Sequence, residues 1–172
     1  NEAGAVYNSY LNSFMNEDGS VNWLPVCADA HGFVVNKALF EKYNIPLPTD
    51  YKSFVSACQA FEKVGIRGFA ADYFYDYTCM ETLQGLSASE LSSTDGRKWR
   101  TAYSDPASTE KVGLDNVVWP AAFDRMEQFI KDTKLEPDDI NLDYDMVDNL
   151  YQNGKLAMYF GSSFGVKKYK DQ

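Results

Sequence analysis

Residues 50–71 constrain the fold more than any other stretch. In Asp50–Val64 the apolar positions Tyr51, Phe54, Val55, Cys58, Phe61 and Val64 recur at spacings of one, three and four, a single stripe along a helix. Thr49 is a good N-cap, and with Lys52 then at N3 no capping box is expected. Gly65 ends the helix, and Ile66–Ala71 follows as an apolar run of strand length. A striped helix followed by a strand, after an earlier strand and helix, is the alternation of an α/β lobe.

The earlier pair lies in GSVNWLPVCADAHGFVVNK, residues 19–37. Two short apolar runs, Val21–Val26 and Gly32–Val35, predict strands, the first entered through the Asp18-Gly19 turn. Pro25 has no N–H, so that strand lies at an edge or finishes there. Asn36-Lys37 opens a helix over Ala38–Tyr43. The polar break CADAH, with Asp29 and His31, is where a ligand-facing group is expected. Upstream, Val6, Tyr7, Tyr10, Leu11 and Phe14 form a helical face within residues 3–16.

Downstream of Ala71 comes DYFYDYTCMETLQG. Asp72, Tyr73, Tyr75, Asp76 and Tyr77 fall at the carboxyl end of a strand, where open α/β sheets place ligands. A helix is expected from about Asp76 to Gly85. Residues 86–106, rich in Ser, Thr, Asp and Gly, predict a loop or small excursion anchored by Trp99 and Tyr103. Pro120 suits a helix's first turn, with Ala122, Phe123, Met126, Phe129 and Ile130 as its buried stripe. Tyr144–Gln152 predicts a helix burying Met146, Val147 and Leu150, then Leu156–Phe160 a strand, and Gly161–Gly165 the opening of a further short helix. No internal repeat or linker interrupts the chain, so 1–172 reads as one lobe, with 1–20 a stub leading into an α/β lobe over 21–170.

A length of 172 residues suffices to bury roughly 70% of the unfolded surface without disulfides or metals. A net charge of −9 argues against nucleic acid and anionic membrane as partners. No apolar run is long enough for a transmembrane helix. Residue 1 is Asn, which predicts a processed or excised piece. Cys27, Cys58 and Cys79 form no metal spacing, and Cys58 falls on the helical stripe as a small buried hydrophobe. The 12 Tyr, 11 Phe and 3 Trp serve either the edge of a core or a surface of flat amphipathic rings that binds something.

Several stretches carry residue types that invite a chemical reading. Asp139, Asn141, Asp143 and Asp145 alternate like a calcium loop, but Tyr144 stands where Gly is required and Leu150 where Glu is required, so a solvated loop capping a helix is expected. There is one histidine, no GxSxG elbow, and Cys27 is poorly placed to pair with His31. GSSFG at 161–165 is no phosphate loop, though amides at a helix start suit an anion or a hydroxyl. Asp29, Asp72, Asp76 and Glu81 admit two readings that spacing does not separate, acid/base partners for glycoside hydrolysis or acceptors for sugar hydroxyls, and the non-catalytic one is expected. No cofactor or metal is called for.

DGSVNWLPVCADAHGFVVNKALFEKYNIPLPTDYKSF resembles a segment of extracellular solute-binding proteins, family 1, the maltose-binding-protein-like sugar receptors. There an Asp-Gly turn leads to a strand ending in proline, a binding loop, a strand ending in Asn-Lys and an FEKYGI-P-T helix start. NLYQNGKLAMYFGSS is similar to the family's later F-x-x-G-K-A-A-M strand and glycine turn, and together the two span about residues 17–165. The resemblance implies one lobe, mainly the second, of a periplasmic-binding-protein-like (type II) fold, with a central mixed sheet flanked by helices. It implies a two-lobed, non-catalytic, monomeric receptor that closes on a sugar and delivers it to the membrane permease of an ABC importer. The setting implied is extracellular or periplasmic, with the full-length protein anchored as a lipoprotein.

The resemblance also implies a site. Asp29 stands where the family often has an acidic contact, with His31 beside it; Tyr75 or Tyr77 stands near a ring that stacks on sugar; Ser163 falls at or beside a frequent tryptophan, with Phe164 a replacement ring. Val35 replaces a common tyrosine. The residues themselves point the same way, since a sugar needs flat apolar faces and hydroxyl acceptors, and Asp29, Asp72, Tyr75 and Tyr77 are expected to gather on one rim. Alternatives are an extracellular carbohydrate-active or peptide-binding protein of another family, or the inducer lobe of a sugar-responsive regulator.

Overall fold

The computed structural model describes residues 8, 11–12, 14–24, 26–110, 112–115 and 118–165. Most of the helix expected over 3–16, Pro25 and the helix expected beyond Gly165 lie outside them. The elements are β1 (His31–Val35), α1 (Lys37–Tyr43), α2 (Tyr51–Lys63), β2 (Arg67–Ala70), α3 (Asp76–Leu86), α4 (Ala88–Ser92), α5 (Thr94–Ser104), α6 (Val118–Thr133), a 3-10 turn at Pro137–Asn141, α7 (Tyr144–Gln152) and β3 (Leu156–Ser162). Contacts divide the chain into two units, Asn1–His31 with Ser162–Gln172, and Gly32–Gly161.

The sheet has the order β1-β3-β2. β2 and β3 are parallel, with Arg67 opposite Leu156 and Phe69 opposite Met158. β1 runs the other way: the Asn36 amide donates to the Ala157 carbonyl at 2.9 Å, and at the opposite end the Ser163 amide donates to the Ala30 carbonyl at 2.9 Å. The sheet is therefore mixed. β3 is its central strand, and Leu156–Tyr159 are buried in succession, the continuous apolar run of a strand covered on both faces.

Local chemistry accounts for most of the ends. The cap of α2 is Asp50, not Thr49. Its carboxylate accepts from the Ser53 amide at 2.7 Å, and the Ser53 hydroxyl accepts from the Asp50 amide at 3.0 Å. A capping box is thus present, one residue along from the expected register, because N3 is Ser53 and not Lys52. At the other end Gly65 takes φ +75°, the Gly65 amide donates to Glu62 and the Ile66 amide to Phe61. This pattern satisfies the last carbonyls and turns the chain into β2. Asn36 caps α1 through its side chain, and Asp143 caps α7.

Within Gly32–Gly161 the main core gathers Phe54, Cys58 and Phe61 of α2, Phe69 of β2, Phe129 of α6 and Met158 of β3. α2 lies directly on β2: a methyl group at Gly68 would sit 2.5 Å from the Cys58 Cα. A second, smaller core joins Leu83, Trp99, Val118, Trp119 and Ala122.

Several expectations do not hold. Val21–Val26 is not a strand in its described residues: only Val21 bridges, to Met15, while Trp23, Leu24 and Val26 are exposed, so no packing partner holds the run extended. Residues 86–106 form the small excursion anchored by Trp99 rather than a loop, and it is helical, carrying α4 and α5. The Ser93 hydroxyl accepts from the Gly96 amide at 3.0 Å to start α5, Gly96 lets it approach α4, and Trp99 enters the second core with Tyr103 stacked on it at 4.9 Å. Tertiary burial of one tryptophan outweighs the polar composition. Met146, Phe123 and Ile130 are exposed rather than buried. Asp139 is buried rather than solvated, paired with Arg67.

Candidate functional site: two carboxylate clusters at strand ends

The first cluster belongs to the unit that contains both Asp29 and Ser163. After β3 the chain turns at Ser163-Phe164, and before β1 it passes Asp29-Ala30. The Ser163 amide donates to the Ala30 carbonyl, and the Ala30 amide donates to the Ser163 Oγ at 3.1 Å. The same hydroxyl donates its proton to Asp29 Oδ1, which also accepts from the Phe164 amide at 3.2 Å. Asp29 Oδ2 lies 3.3 Å from His31 Nε2. The Ser163 hydroxyl, opposed by partial desolvation and helped by Ser162 and the Ala30 and Phe164 amides, holds the Asp29 carboxyl below its ordinary value.

This places Asp29, His31 and Ser163 together, with the Phe164 ring exposed beside its hydrogen-bonded amide. Their order is not that of a catalytic triad. There the imidazole stands between hydroxyl and carboxylate and takes the hydroxyl proton. Here that single proton is given to a carboxylate, and the carboxylate is the hub.

The second cluster belongs to Gly32–Gly161 and follows β2. Asp72 is half-buried and accepts from the Thr78 hydroxyl at 3.0 Å; its backbone carbonyl accepts from the Tyr75 amide at 3.1 Å. Burial, only partly offset by Thr78, raises the Asp72 carboxyl above its ordinary value. The Tyr75 and Tyr77 rings stack at 5.4 Å and 18°, Phe74 meets Tyr75 edge-on at 5.2 Å, and Tyr77 and Phe74 are exposed. Desolvation, then the Asp72 charge, raises the Tyr77 phenol. Tyr73 instead turns into the core, its hydroxyl 3.4 Å from Thr82. The arrangement offers stacked rings with an exposed face beside a carboxylate acceptor.

Thr78 was not singled out from the sequence, although its place in the first turn of the helix after the strand lets it reach back to Asp72. The pairing of Ser163 with Asp29 spans 134 residues and carries no local signal. Cys27, Cys58 and Cys79 are all free thiols, and burial pushes the Cys58 thiol up to about 12. Among the described residues no group of three or more His, Cys, Asp and Glu is placed to hold a metal, and no helix is long and apolar enough to cross a membrane.

Burial of Asp72 has a testable consequence. A carboxyl raised in the fold contributes stability below the ordinary carboxylate range and loses it as pH climbs through the folded value. Asp72→Asn keeps an acceptor for Thr78 and removes the charge. Its melting temperature is expected to match or exceed the parent at pH 7 and to lose that advantage at pH 3. Thermal melts at the two pH values check this; a variant clearly less stable at pH 7 contradicts it.

A mixed α/β sheet with polar clusters following its strands fits a periplasmic-binding-protein-like lobe. The model of the bacterial extracellular solute-binding protein family matches residues 2–172, and the chain belongs to that family. Solved structures agree on the fold. A probable secreted solute-binding lipoprotein from Streptomyces coelicolor superposes with a TM-score of 0.72 at 14% identity, over 92% of this chain and 38% of that one. The solute-binding protein RafE in complex with raffinose, known also in apo form from Streptococcus pneumoniae, gives 0.66 at 18% identity over 95% and 44%. A protein of xylan utilisation from Caldanaerobius polysaccharolyticus gives 0.68 at 22% over 90% and 37%. The chain thus spans roughly two fifths of the length of these structures. No curated protein matches its sequence.

Proposed function

We propose that the chain contributes one lobe, residues 1–172, of a receptor that binds a sugar or oligosaccharide without altering it and hands it to the membrane permease of an ABC importer. The observation that carries this reading is the stacked Tyr75–Tyr77 pair beside the half-buried Asp72. A pyranose presents C–H faces that lie flat on a ring and hydroxyls that donate to a carboxylate, so rings and acceptors together suit it. Asp29, His31 and the Phe164 ring supply a second set of such groups, and no step of bond breaking is required of either. Capture by closure of two lobes needs only that the solute bind the closed state better than the open one. Solved relatives of this fold include a raffinose complex and a xylan-utilisation protein, which supports a carbohydrate over a peptide. The receptor works outside the cytoplasmic membrane as a lipid-anchored monomer.

The test is a thermal-shift panel on the full-length, two-lobed receptor, of neutral oligosaccharides, raffinose and xylan fragments among them, against peptides; one lobe alone offers half a cleft and is expected to bind weakly. A ligand at a hundred times its Kd stabilises by about 2.7 kcal/mol, several degrees for a domain of this size. A sugar is expected to raise the melting temperature, and Tyr77→Ala or Asp72→Ala to remove most of the rise. Chromatography of the incubated sugar is expected to show it intact. Stabilisation by peptides alone, or cleavage of the sugar, overturns the reading.

A further inference from the structure

We propose that Ser163 is a positioning residue rather than a solute contact: its hydroxyl, bonded on both sides, pins one oxygen of Asp29 and leaves the other as the single acceptor for a solute hydroxyl. This deepens the sugar-binding reading and rests on it.

A serine hydroxyl has one proton and two lone pairs. The proton of Ser163 goes to Asp29 Oδ1, and one lone pair takes the Ala30 amide at 3.1 Å. The Ser163 amide is occupied too, by the Ala30 carbonyl at 2.9 Å. What remains is too little to orient a ligand, so a solute contact is the weaker use of this residue. Asp29 Oδ1 receives two donors, the Ser163 hydroxyl and the Phe164 amide at 3.2 Å, which fills its in-plane capacity. Among the described residues Oδ2 faces His31 Nε2, at 3.3 Å, and the Asp29 side chain stays 29% exposed. The two oxygens of one carboxylate are therefore unequal.

Two consequences follow for recognition. A sugar hydroxyl needs one acceptor oxygen and finds it in Oδ2. An arginine guanidinium seeks both oxygens of a carboxylate at once, and here one is taken. The pinning also keeps Asp29 charged to lower pH than an ordinary aspartate, because the Ser163 hydroxyl hydrogen-bonds the anion. The group invoked has as neighbours the His31 imidazole and the Ser162 hydroxyl; Cys27 lies in the same segment, and Asp18, on the preceding turn, accepts from Ser20.

The experiment titrates the Asp29 carboxyl carbon by NMR in the 172-residue chain, as the parent, Ser163→Ala and Ser163→Thr. The parent is expected to titrate below the ordinary aspartate value of about 3.9, the alanine variant to move up towards it, and threonine to restore the low value. An alanine variant with an unmoved Asp29 titration overturns the pinning. A second arm measures, in the full-length receptor carrying the same substitutions, the affinity for whichever panel sugar gives the largest thermal shift. Ser163→Ala is expected to bind it about tenfold more weakly, with the affinity lost at a higher pH than in the parent, and Ser163→Thr to bind normally. Equal binding by the alanine variant overturns the positioning role while sugar binding stands. A titration that moves as expected, with no sugar bound by the full-length parent, overturns the sugar reading and leaves the pinning in place. A shift of Oδ2-facing resonances by L-arginine comparable to that by the sugar removes the single-acceptor argument.

Discussion

Phe69→Ala is expected to destabilise the Gly32–Gly161 unit by about 3–5 kcal/mol, the largest effect of any single substitution considered for this chain. Phe69 is fully buried in β2, and its ring meets three others edge-on: Phe33 at 5.3 Å, Phe54 at 5.6 Å and Phe129 at 5.3 Å. Those rings come from β1, α2 and α6. A cavity left by the deleted ring is walled by three separate elements, and no one of them can move in without dragging its own contacts along. Phe33 and Phe54 stack at 4.7 Å, and Phe54 and Phe129 at 6.0 Å, so each is already fixed by its neighbours. The lost edge-to-face contacts add to the lost transfer energy. Against a total stability of about 5–15 kcal/mol, such a loss leaves the unit marginal or unfolded at room temperature. Urea unfolding followed by tryptophan fluorescence measures it, with Phe69→Leu as the milder comparison. A loss under 1 kcal/mol, close to the ~0.5 kcal/mol usual for exposed positions, would show that the ring cluster collapses freely.

Asp139→Ala is expected to destabilise by about 3 kcal/mol. Asp139 pairs with the guanidinium of Arg67 and accepts the Glu136 amide at 2.8 Å; its side chain is 10% exposed and that of Arg67 is 27% exposed. Arg67 also donates from Nε to the Phe69 carbonyl at 3.0 Å, so the pair ties the 3-10 turn to β2. Removing the carboxylate strands a partly desolvated guanidinium and an amide, and their unmet hydrogen bonding carries the penalty rather than the attraction itself. The residual exposure of Arg67 places the figure at the low end of the range. Replacing both partners, as Arg67→Met with Asp139→Leu, removes both charges at once and is expected to be less damaging than Asp139→Ala alone. A double-mutant cycle decides: additive losses would mean that the pair is not coupled.

These two sites show how differently the chain discloses its parts. Phe69 lies in an apolar run that follows a striped helix, and the run was legible as a strand from residue types within a dozen positions. The stripe itself, the Schellman stop at Gly65 and the helix Tyr144–Gln152 were legible for the same reason. Asp139 was misread as a solvated residue of an acidic loop because its partner stands 72 positions earlier. The helices α4 and α5 were missed because Ser, Thr and Gly speak for a loop locally, while Trp99 is captured by Leu83 and Trp119 from elsewhere in the chain. Val21–Val26 failed in the opposite sense: its residues favour a strand, but only Val21 finds a partner among the described residues.

The candidate site divides along the same line. That Asp72, Tyr75 and Tyr77 follow a strand was readable, since strand and cluster are adjacent in the chain. That Asp29 is a hub, held by a serine 134 residues away and by the amide after it, was not. By itself the sequence determined the α/β alternation, the stripes, most helix ends and the residue types available for recognition, because periodicity, caps and turn glycines act over one or two turns of chain. Tertiary structure alone decided which charges are buried, which polar segments become helical and which oxygen of Asp29 is held by Ser163 and Phe164, because burial and hydrogen-bond saturation depend on residues that only folding brings within 3 Å or so.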